Sequence, residues 1–322
     1  MIDLNVPEVE FAVRAVHKAS LLAASIQSSL SGKAAIKADR SPVTVADYAV
    51  QALISRFLET AFPKLPLVAE ENSAALTQQE MEALLGRATE SLKPFAPEAT
   101  PGEVRGWIDR TSPASEERFW TLDPVDGTKG FLRGDQYAVA LALVSEGEVQ
   151  IGVLGCPSLE GGTLVAARKG EGCWRASLET PSRFEALRVS DLTKFRRARI
   201  LRSFEAAHTN TTQIDVLLSR LGVTAKPILM DSQAKYALLA AGRGDLLFRL
   251  LSPGQPDYRE KIWDQAAGTL IVEEAGGRVT DLDGRNLDFT AGETLANNRG
   301  VVASNGHLHQ AVLEAIAELT AG

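Results

Sequence analysis

Two aspartates within WTLDPVDGTKGFLRG, residues 120–134, constrain this chain more than any other feature of its sequence. An apolar run ends there, and Asp123 and Asp126 follow three residues apart, around Pro124 and directly before Gly127. Asp-Pro and Asp-Gly are turn signals, so the segment predicts a turn at the end of a strand. Two carboxylates held this close repel each other unless a cation lies between them. Because Mg²⁺ binds through one or two carboxylates plus substrate phosphates, the turn predicts part of a metal site.

The composition is that of an ordinary globular protein, with 322 residues of which 45% are hydrophobic and 23% charged. A net charge of −7 without a Lys/Arg block argues against a nucleic-acid polymer as partner, and neither a signal pattern nor a membrane-length apolar stretch is found. Cys156 and Cys173 predict buried thiols in a reducing compartment, with a redox bridge as the alternative. We therefore expect a soluble, cytoplasmic, monomeric protein without a membrane partner; an organelle is the alternative location.

The hydrophobic pattern predicts an α+β domain over residues 1–188. One helix is expected over residues 8–30 and a second from near Thr44. A short strand then ends at Glu70, and the polar, proline-rich segment 72–118 predicts a helix followed by a surface excursion. Three strands with Gly-containing turns follow, which is typical of an antiparallel meander.

Residues 189–322 have a different pattern of predicted elements. Strand-like and helical segments alternate here, which predicts an α/β domain. We place a domain boundary between residues 188 and 189 on this change of pattern.

Three further acids stand at the ends of predicted elements. Asp47 lies three residues after Thr44, so a helix-capping box would explain it. Glu70 closes a strand, where it could be a solvated acid, and Asp264 lies in the first turn of a predicted helix, where the helix dipole favours any acid. For each acid considered alone, the structural explanation is stronger than a role in a metal site. Together with the aspartate pair, however, the acids share a position at element ends, where active sites are built.

Three motifs in a fixed order carry a resemblance to a known family. AEEN at 69–72, DPVDGT at 123–128 and IWDQAAG at 262–268 resemble the Mg²⁺-dependent, Li⁺-sensitive phosphatases of the inositol monophosphatase and fructose-1,6-bisphosphatase superfamily. Four longer stretches are similar to the 3′(2′),5′-bisphosphate nucleotidases of that superfamily: SPVTVADYAVQ, DPVDGTKGFLRGDQYAVALALV, MDSQAKYALLAAGRGDLLFRL and EKIWDQAAG. The resemblance runs from about residue 8 to 319. It implies a layered αβαβα sandwich of α+β and α/β character.

The resemblance also implies a centre of two Mg²⁺ ions. Glu70, Asp123 and the backbone carbonyl of Val125 would hold the first. Asp123, Asp126 and Asp264 would hold the second. Two metals can activate the attacking water and stabilise the leaving oxygen of an in-line displacement. The N-terminal domain would thus carry most of the ligands, and the C-terminal domain would add Asp264.

A proton relay is implied by the same resemblance. Thr128 would hydrogen-bond the nucleophilic water, and Asp47 would orient Thr128, because a threonine hydroxyl alone is too weak a base. The structural alternative for Thr128 is a side-chain hydrogen bond within the turn. Asp47 would also assist a third, weaker Mg²⁺ site.

Substrate contacts are implied for Thr128 and for four residues of the C-terminal domain. Ser232, Lys235, Arg249 and His208 would lie near the adenosine and its phosphates. The structural alternatives are a helix N-cap for Ser232, a solvated helix residue for Lys235, and surface or loop positions for Arg249 and His208.

The activity implied is removal of the 3′-phosphate of adenosine 3′,5′-bisphosphate to give AMP, with 3′-phosphoadenylyl sulfate as a further substrate and a role in clearing a by-product of sulfate assimilation. The first alternative is an inositol phosphate substrate, against which KGFLRG and SQAKY argue. The alternative of another class is a non-catalytic nucleotide-binding or redox-sensing protein. A protein without catalysis has no need to keep buried like charges, which argues against it.

Overall fold

The structure, a computed structural model, describes residues 2–29, 35–36, 42–75, 77–114, 116–204, 211–252 and 254–321. Its helices are α1 (Pro7–Ser29), α2 (Val45–Ala61), α3 (Gln78–Leu92), α4 (Pro101–Ile108), α5 (Thr128–Arg133), α6 (Thr211–Arg220), α7 (Ala234–Ala240), α8 (Ala266–Glu274) and α9 (His309–Ala321). Its strands are β1 (Ala35–Ile36), β2 (Pro42–Val43), β3 (Leu67–Ala69), β4 (Arg118–Asp126), β5 (Ala138–Ser145), β6 (Glu148–Cys156), β7 (Thr163–Arg168), β8 (Gly172–Ser177), β9 (Glu185–Leu187), β10 (Ile200–Arg202), β11 (Ile228–Leu229), β12 (Leu246–Arg249), β13 (Arg278–Thr280) and β14 (Val301–Ser304).

A seven-stranded sheet forms the centre of the first half, in the order β3-β4-β5-β6-β7-β8-β9. β3 pairs with β4 in parallel and the other strands are antiparallel. Side chains alternate between the faces of a strand, so Leu141 and Leu143 of β5 pack with α1 and α2, whereas Ala140 and Ala142 pack with α7 and α8. The small residues on the second face allow α8 to lie close to the sheet: a Cβ at Gly152 would stand 2.8 Å from the carbonyl oxygen of Ala267.

A five-stranded mixed sheet forms the second half, in the order β11-β10-β12-β14-β13. Leu247 of β12 joins the core of α7 and α8, and its neighbours Leu246 and Phe248 join the core of α6 and α9, for example at Val312. The layers therefore run helices, sheet, helices, sheet, helices. This is the αβαβα sandwich that the sequence motifs predict, and the prediction is confirmed.

The helix predicted within residues 72–118 is observed as α3, and the segment after it is mostly exposed, in agreement with the predicted surface excursion. That segment also contains α4, which was not predicted and whose residues Val104 and Ile108 are buried in the same core as α1 and α2. The apolar residues of α3 recur at helical spacing, and Met81, Leu84 and Leu92 pack in that core. The predicted meander is observed as β5 to β8.

The two cysteines lie on the same face of the first sheet but are not paired. Cys156 of β6 stands opposite Thr163 of β7, and Cys173 of β8 stands opposite Ala167, so a whole strand and four residues along it separate them. The alternative of a redox bridge between them is therefore wrong. Burial raises the pKa of both thiols, which keeps them protonated and poorly reactive.

The boundary between residues 188 and 189 falls in the segment that joins the two sheets, between β9 and β10, and it stays a prediction. Helices α7 and α8 pack against both sheets and share a core with them. None of the described helices is long and apolar enough to cross a membrane.

Candidate active site

A β-bulge near the end of β4 explains the spacing of the two aspartates. Asp123 stands opposite Ala140 of β5 and Asp126 opposite Ala138, so three steps on β4 match two on β5. In a regular strand, residues three apart point to opposite faces; the extra residue brings both aspartates to one face. Pro124 lies within the bulge, where its missing N–H costs no ladder hydrogen bond. The backbone N–H of Val125 donates to Oδ1 of Asp123 at 3.1 Å.

Two glycines bring a loop from the second half of the chain against this turn. Gly127 has a left-handed φ of 87°, and a Cβ there would stand 2.9 Å from Cβ of Ser232. A Cβ at Gly130, in α5, would meet Asp231 at 3.3 Å. The loop is fixed because the backbone N–H of Gln233 donates to Oδ2 of Asp126 at 2.6 Å.

Asp47 uses its two carboxylate oxygens for different partners. Oδ2 accepts hydrogen bonds from the backbone N–H and the hydroxyl of Thr44, both at 2.7 Å, as the capping box of α2 requires. Oδ1 lies 3.5 Å from the hydroxyl of Thr128. That hydroxyl lies 3.2 Å from the carbonyl oxygen of Val125. The capping box is therefore observed, and the Thr128 hydroxyl lies within hydrogen-bond distance of Asp47. The proton relay between them stays a prediction.

Gln51 is a site residue that the sequence reasoning missed. It lies one turn after Asp47 on α2 and is fully buried. Its side-chain amide donates to the carbonyl oxygens of Glu71 at 2.6 Å and Ile108 at 2.8 Å, and its oxygen accepts from the N–H of Glu71 at 3.1 Å. It thereby fixes the strand end that carries Glu70. A glutamine on an apolar helix face, four residues from a candidate acid, was the available signal.

Gln233 was also missed, and it links Asp126 to the turn of Asp264. Its side chain donates to the carbonyl oxygen of Trp263 at 2.9 Å and accepts from the N–H of Gly268 at 3.1 Å. Helix α8 begins only at Ala266, so Asp264 precedes the helix rather than lying in its first turn as predicted.

The five predicted acids act on one another electrostatically. Burial first, and then the negative charges of Glu70, Asp126, Asp264 and Asp47, raise the pKa of Asp123 well above its usual range. Burial and the charge of Asp126 likewise raise the pKa of Asp264. Asp123 therefore lies within electrostatic range of the other four acids.

The donor set fits a hard cation, because it consists of carboxylate oxygens and a backbone carbonyl without sulfur or imidazole. Within the described ranges, no three His, Cys, Asp or Glu side chains already stand in a geometry that could hold a metal ion. Binding would therefore require these carboxylates to converge, and neutralising their repulsion would favour that movement.

One pocket joins two of the acids, Asp126 and Asp264, to three of the predicted substrate residues. Its lining consists of Asp126, Ser232, Gln233, Lys235, Tyr236, Leu247, Arg249, Asp264 and Gln265. Ser232 has a φ of 68°, in the left-handed region that residues other than glycine seldom occupy, and its hydroxyl oxygen accepts from the N–H of Ala234 at 3.2 Å. A larger cavity, about 990 Å³, lies near the N-terminal ends of β3 and β4 and contains none of these acids.

Lys235 is buried rather than solvated. Its ammonium donates to the carbonyl oxygens of Ser232 at 2.8 Å and Met230 at 3.2 Å, so it braces the loop that carries Ser232. Burial, and then the charge of Arg249, lower the pKa of Lys235 to about 8. The alternative of a solvated helix residue is wrong.

Arg249 forms a partly buried ion pair with Glu260. Two of its nitrogens lie 3.0 and 3.2 Å from Oε2 of Glu260, which also accepts from Gln265 at 2.9 Å. Arg249 is only 17% exposed, so its guanidinium is held beside the pocket and is not a surface group. His208 lies outside the described residues.

Comparisons with known proteins agree with this architecture. The family described as the inositol monophosphatase family matches residues 6–321, and the chain belongs to that family, whose members are in general metal-dependent phosphatases. The class of phosphoric monoester hydrolases predicted from the motifs is thereby confirmed.

Two relatives indicate which group of proteins within the family this chain resembles. The 3′(2′),5′-bisphosphate nucleotidase of Schizosaccharomyces pombe is 37% identical and covers 97% of this chain and 96% of its own. That of Dictyostelium discoideum is 39% identical and covers 95% of each chain. A solved structure, the IMPase of Thermotoga maritima, has a TM-score of 0.68 at 22% identity and covers 98% of both chains, which supports the fold alone. The resemblance to bisphosphate nucleotidases is confirmed.

Proposed function

We propose that this protein is a phosphomonoesterase that removes the 3′-phosphate of adenosine 3′,5′-bisphosphate and releases AMP. The observation that carries the proposal is one pocket in which Asp126 and Asp264 stand beside the cations Lys235 and Arg249. Acids that require a metal and cations that attract a phosphate are the two halves of a phosphate-ester site. The near full-length likeness to proteins named 3′(2′),5′-bisphosphate nucleotidase supports the choice of substrate.

Two Mg²⁺ ions would bind among the five acids, of which Asp126 and Asp264 line the pocket. We propose that Glu70, Asp123 and the carbonyl of Val125 hold one. Asp123, Asp126 and Asp264 hold the other, and a third, weaker site involves Asp47. Bound Mg²⁺ would supply water activation and charge stabilisation for the in-line displacement.

Thr128 and Asp47 orient the attacking water. The Thr128 hydroxyl lies 3.2 Å from the carbonyl oxygen of Val125 and 3.5 Å from Oδ1 of Asp47. With that carbonyl on a metal, the hydroxyl would direct its proton to Asp47, which leaves its oxygen lone pairs to accept a hydrogen bond from water. Asp47 is fully buried and anchored at Oδ2 by Thr44, so it can hold one hydroxyl rotamer. A proton that leaves the water would pass to this pair.

The substrate residues distinguish a nucleotide from a smaller ester. Arg249 is held in place by Glu260 and presents a planar cation at the pocket, suited to a phosphate. Lys235 acts through the carbonyls that it braces and through its charge, and Ser232 offers a hydroxyl proton. His208 completes the proposed contacts to the nucleotide, together with Thr128.

Activity on 3′-phosphoadenylyl sulfate, inhibition by Li⁺, a cytoplasmic location and a monomeric state belong to the same proposal. An inositol phosphatase with the same metal chemistry is the competing function, and no contact of the described residues favours it.

A phosphate-release assay tests the proposal. Adenosine 3′,5′-bisphosphate, 3′-phosphoadenylyl sulfate and inositol 1-phosphate are compared with Mg²⁺ and with a chelator, and chromatography identifies the product. We expect Mg²⁺-dependent release from the nucleotides, with AMP as the product of the bisphosphate. Equal efficiency on inositol 1-phosphate, or adenosine 3′-phosphate as product, would overturn the substrate assignment.

A further inference from the structure

Phe204, two residues after β10, is an exposed aromatic side chain, with 52% of its surface accessible. Single exposed apolar residues are common and need no explanation by themselves. This one differs because its position is fixed by polar contacts. Its backbone N–H donates to Oδ1 of Asp231 at 3.3 Å.

Arg133 is held over the same ring. Its guanidinium carbon lies 5.5 Å from the centroid of Phe204, within the range of a cation–π contact. The guanidinium is itself fixed, because it donates to Oδ2 of Asp231 and, at 2.9 Å, to Asp135. One carboxylate, that of Asp231, thus orients both members of the pair.

The Phe204–Arg133 pair lies at the rim of the proposed active site. Asp231 directly precedes Ser232, which lines the pocket, and it packs against Gly130 in the helix that Thr128 begins. Asp231 therefore connects both Phe204 and Arg133 to the pocket. Asp126 and Asp264 line the pocket, whereas Phe204 and Arg133 do not.

We propose that Phe204 is a stacking platform for the purine base of the substrate, ordered by Arg133. The inference rests on the proposed nucleotide function and deepens it. Stacking on an aromatic ring is available to any base, because every base has a π-face. Arg133 adds a fixed cation that keeps the ring from folding onto the protein. The phosphates would be held inside the pocket while the base lies on the exposed ring.

Direct binding and turnover of Phe204→Ala test this inference, with Val216→Ala as the control. Val216 is an exposed apolar residue of α6, 44% accessible. We expect Phe204→Ala to bind AMP about five- to a hundredfold more weakly, the usual share of one stacked base. The KM for adenosine 3′,5′-bisphosphate should rise similarly with little change in kcat. Binding of ribose 5-phosphate, which has no base, should not change.

Phe204→Trp supplies a second readout. It should restore AMP affinity, and its added fluorescence should be quenched by AMP but not by ribose 5-phosphate. Unchanged AMP affinity in Phe204→Ala, or equal weakening of ribose 5-phosphate, would overturn the platform. Both outcomes leave phosphate release by the wild type untouched, so they are separate from a failure of the proposed function. A wild type that releases phosphate from adenosine 3′,5′-bisphosphate but fails to bind AMP would overturn the platform alone.

Discussion

The hydroxyl of Thr128 and the carboxylate of Asp47 meet across 81 residues of sequence, 3.5 Å apart at Oδ1. The other oxygen of Asp47 is held at 2.7 Å by the hydroxyl of Thr44. One buried acid therefore starts a helix with one oxygen and orients the proposed nucleophile-binding hydroxyl with the other. The separation of 3.5 Å is at the limit of a hydrogen bond, as is common before a substrate tightens such contacts.

Loss of the Thr128 hydroxyl should lower kcat and leave KM nearly unchanged. We expect Thr128→Val to reduce kcat by about 10²–10⁴-fold, the usual contribution of positioned proton transfer. Thr128→Ser keeps the hydroxyl and should retain most of the turnover. Steady-state kinetics on adenosine 3′,5′-bisphosphate measure both variants.

Asp47→Asn should lower kcat to a similar degree, and the double variant should be little worse than either single one, because groups that act as a unit are non-additive. Asp47→Asn should lower the melting temperature only slightly, because its amide oxygen can still accept from Thr44 while the negative charge near the N-terminus of α2, worth about 0.3–1 kcal/mol, is lost. Losses in kcat that multiply in the double variant would mean that Asp47 serves only as the cap.

Neutralising one acid of the proposed metal site should abolish turnover without unfolding the protein. Asp126→Asn keeps an oxygen that can accept from the N–H of Gln233 but removes a charge from the cage. We expect a melting temperature in chelator equal to or above that of the wild type, because one repulsive charge is gone. Mg²⁺ should raise the melting temperature of the wild type more than that of the variant.

The exposed acid Asp191 provides the control for this experiment, since Asp191→Asn changes the net charge equally away from the pocket. Near-wild-type turnover of Asp126→Asn at saturating Mg²⁺ would exclude the two-metal assignment.

Li⁺ should inhibit the enzyme in an uncompetitive or mixed manner with respect to substrate. Li⁺ is close to Mg²⁺ in size but has half the charge, so it can enter a Mg²⁺ site without equal stabilisation of the leaving oxygen. It would then trap a product-bound state. Initial rates over a matrix of Li⁺ and substrate concentrations give the inhibition pattern, with K⁺ chloride at equal ionic strength as the control. Purely competitive inhibition would indicate a different mode of binding.

The sequence predicts the acids of this site better than the residues that hold them. Asp123 and Asp126 stand in one short turn, and a local motif is sufficient to recognise them. Gln51 and Gln233 act on strand ends 20 and 107 residues away, and no local pattern reports such contacts. The bulge of β4 was equally hidden, because its effect depends on the register with β5.

The fold shows the same division between local and long-range information. The boundaries of α2 and the meander of β5 to β8 follow from capping and alternation, which are local. The existence of α3 is likewise a local property, whereas the short helix α4 was missed because its few buried residues, Val104 and Ile108, depend on contacts with the helices of the first core.

Removing the buried cation Lys235 should affect the nucleotide selectively. We expect Lys235→Met to lower kcat/KM for adenosine 3′,5′-bisphosphate about ten- to a hundredfold, since charge-assisted hydrogen bonds are worth about 1.5–3 kcal/mol. The carbonyl of Ser232, 2.8 Å from the ammonium, would lose its donor; a shift of the Ser232 loop would lower turnover of both esters, because that loop also holds Asp126. Lys235→Ala should lower kcat/KM for adenosine 3′,5′-bisphosphate by a similar factor. Residual turnover of inositol 1-phosphate should change little, and parallel losses on both esters would argue for a purely structural lysine.

His309 should make the stability of the protein fall in mild acid. It is almost fully buried, and Nε2 and Nδ1 lie 2.9 Å from the hydroxyls of Thr280 and Ser304. The Thr280 hydroxyl donates to the carbonyl of Asp281, so its oxygen accepts from Nε2–H, and Nδ1 accepts from Ser304. Such a ring is neutral, and burial lowers the pKa of His309 from 6.5 to about 4.

Because the folded pKa of His309 is depressed, the unfolded chain binds the proton more tightly, and stability decreases as the pH falls from 6.5 toward 4. The shift corresponds to up to about 3 kcal/mol at the acid end. Urea denaturation of the wild type, His309→Gln and His307→Gln at pH 7, 6, 5 and 4 measures it. The wild type and His307→Gln, whose residue is exposed, should lose stability in parallel, whereas His309→Gln should start less stable and show a flatter profile. An equally steep profile for His309→Gln would assign the acid sensitivity to other groups.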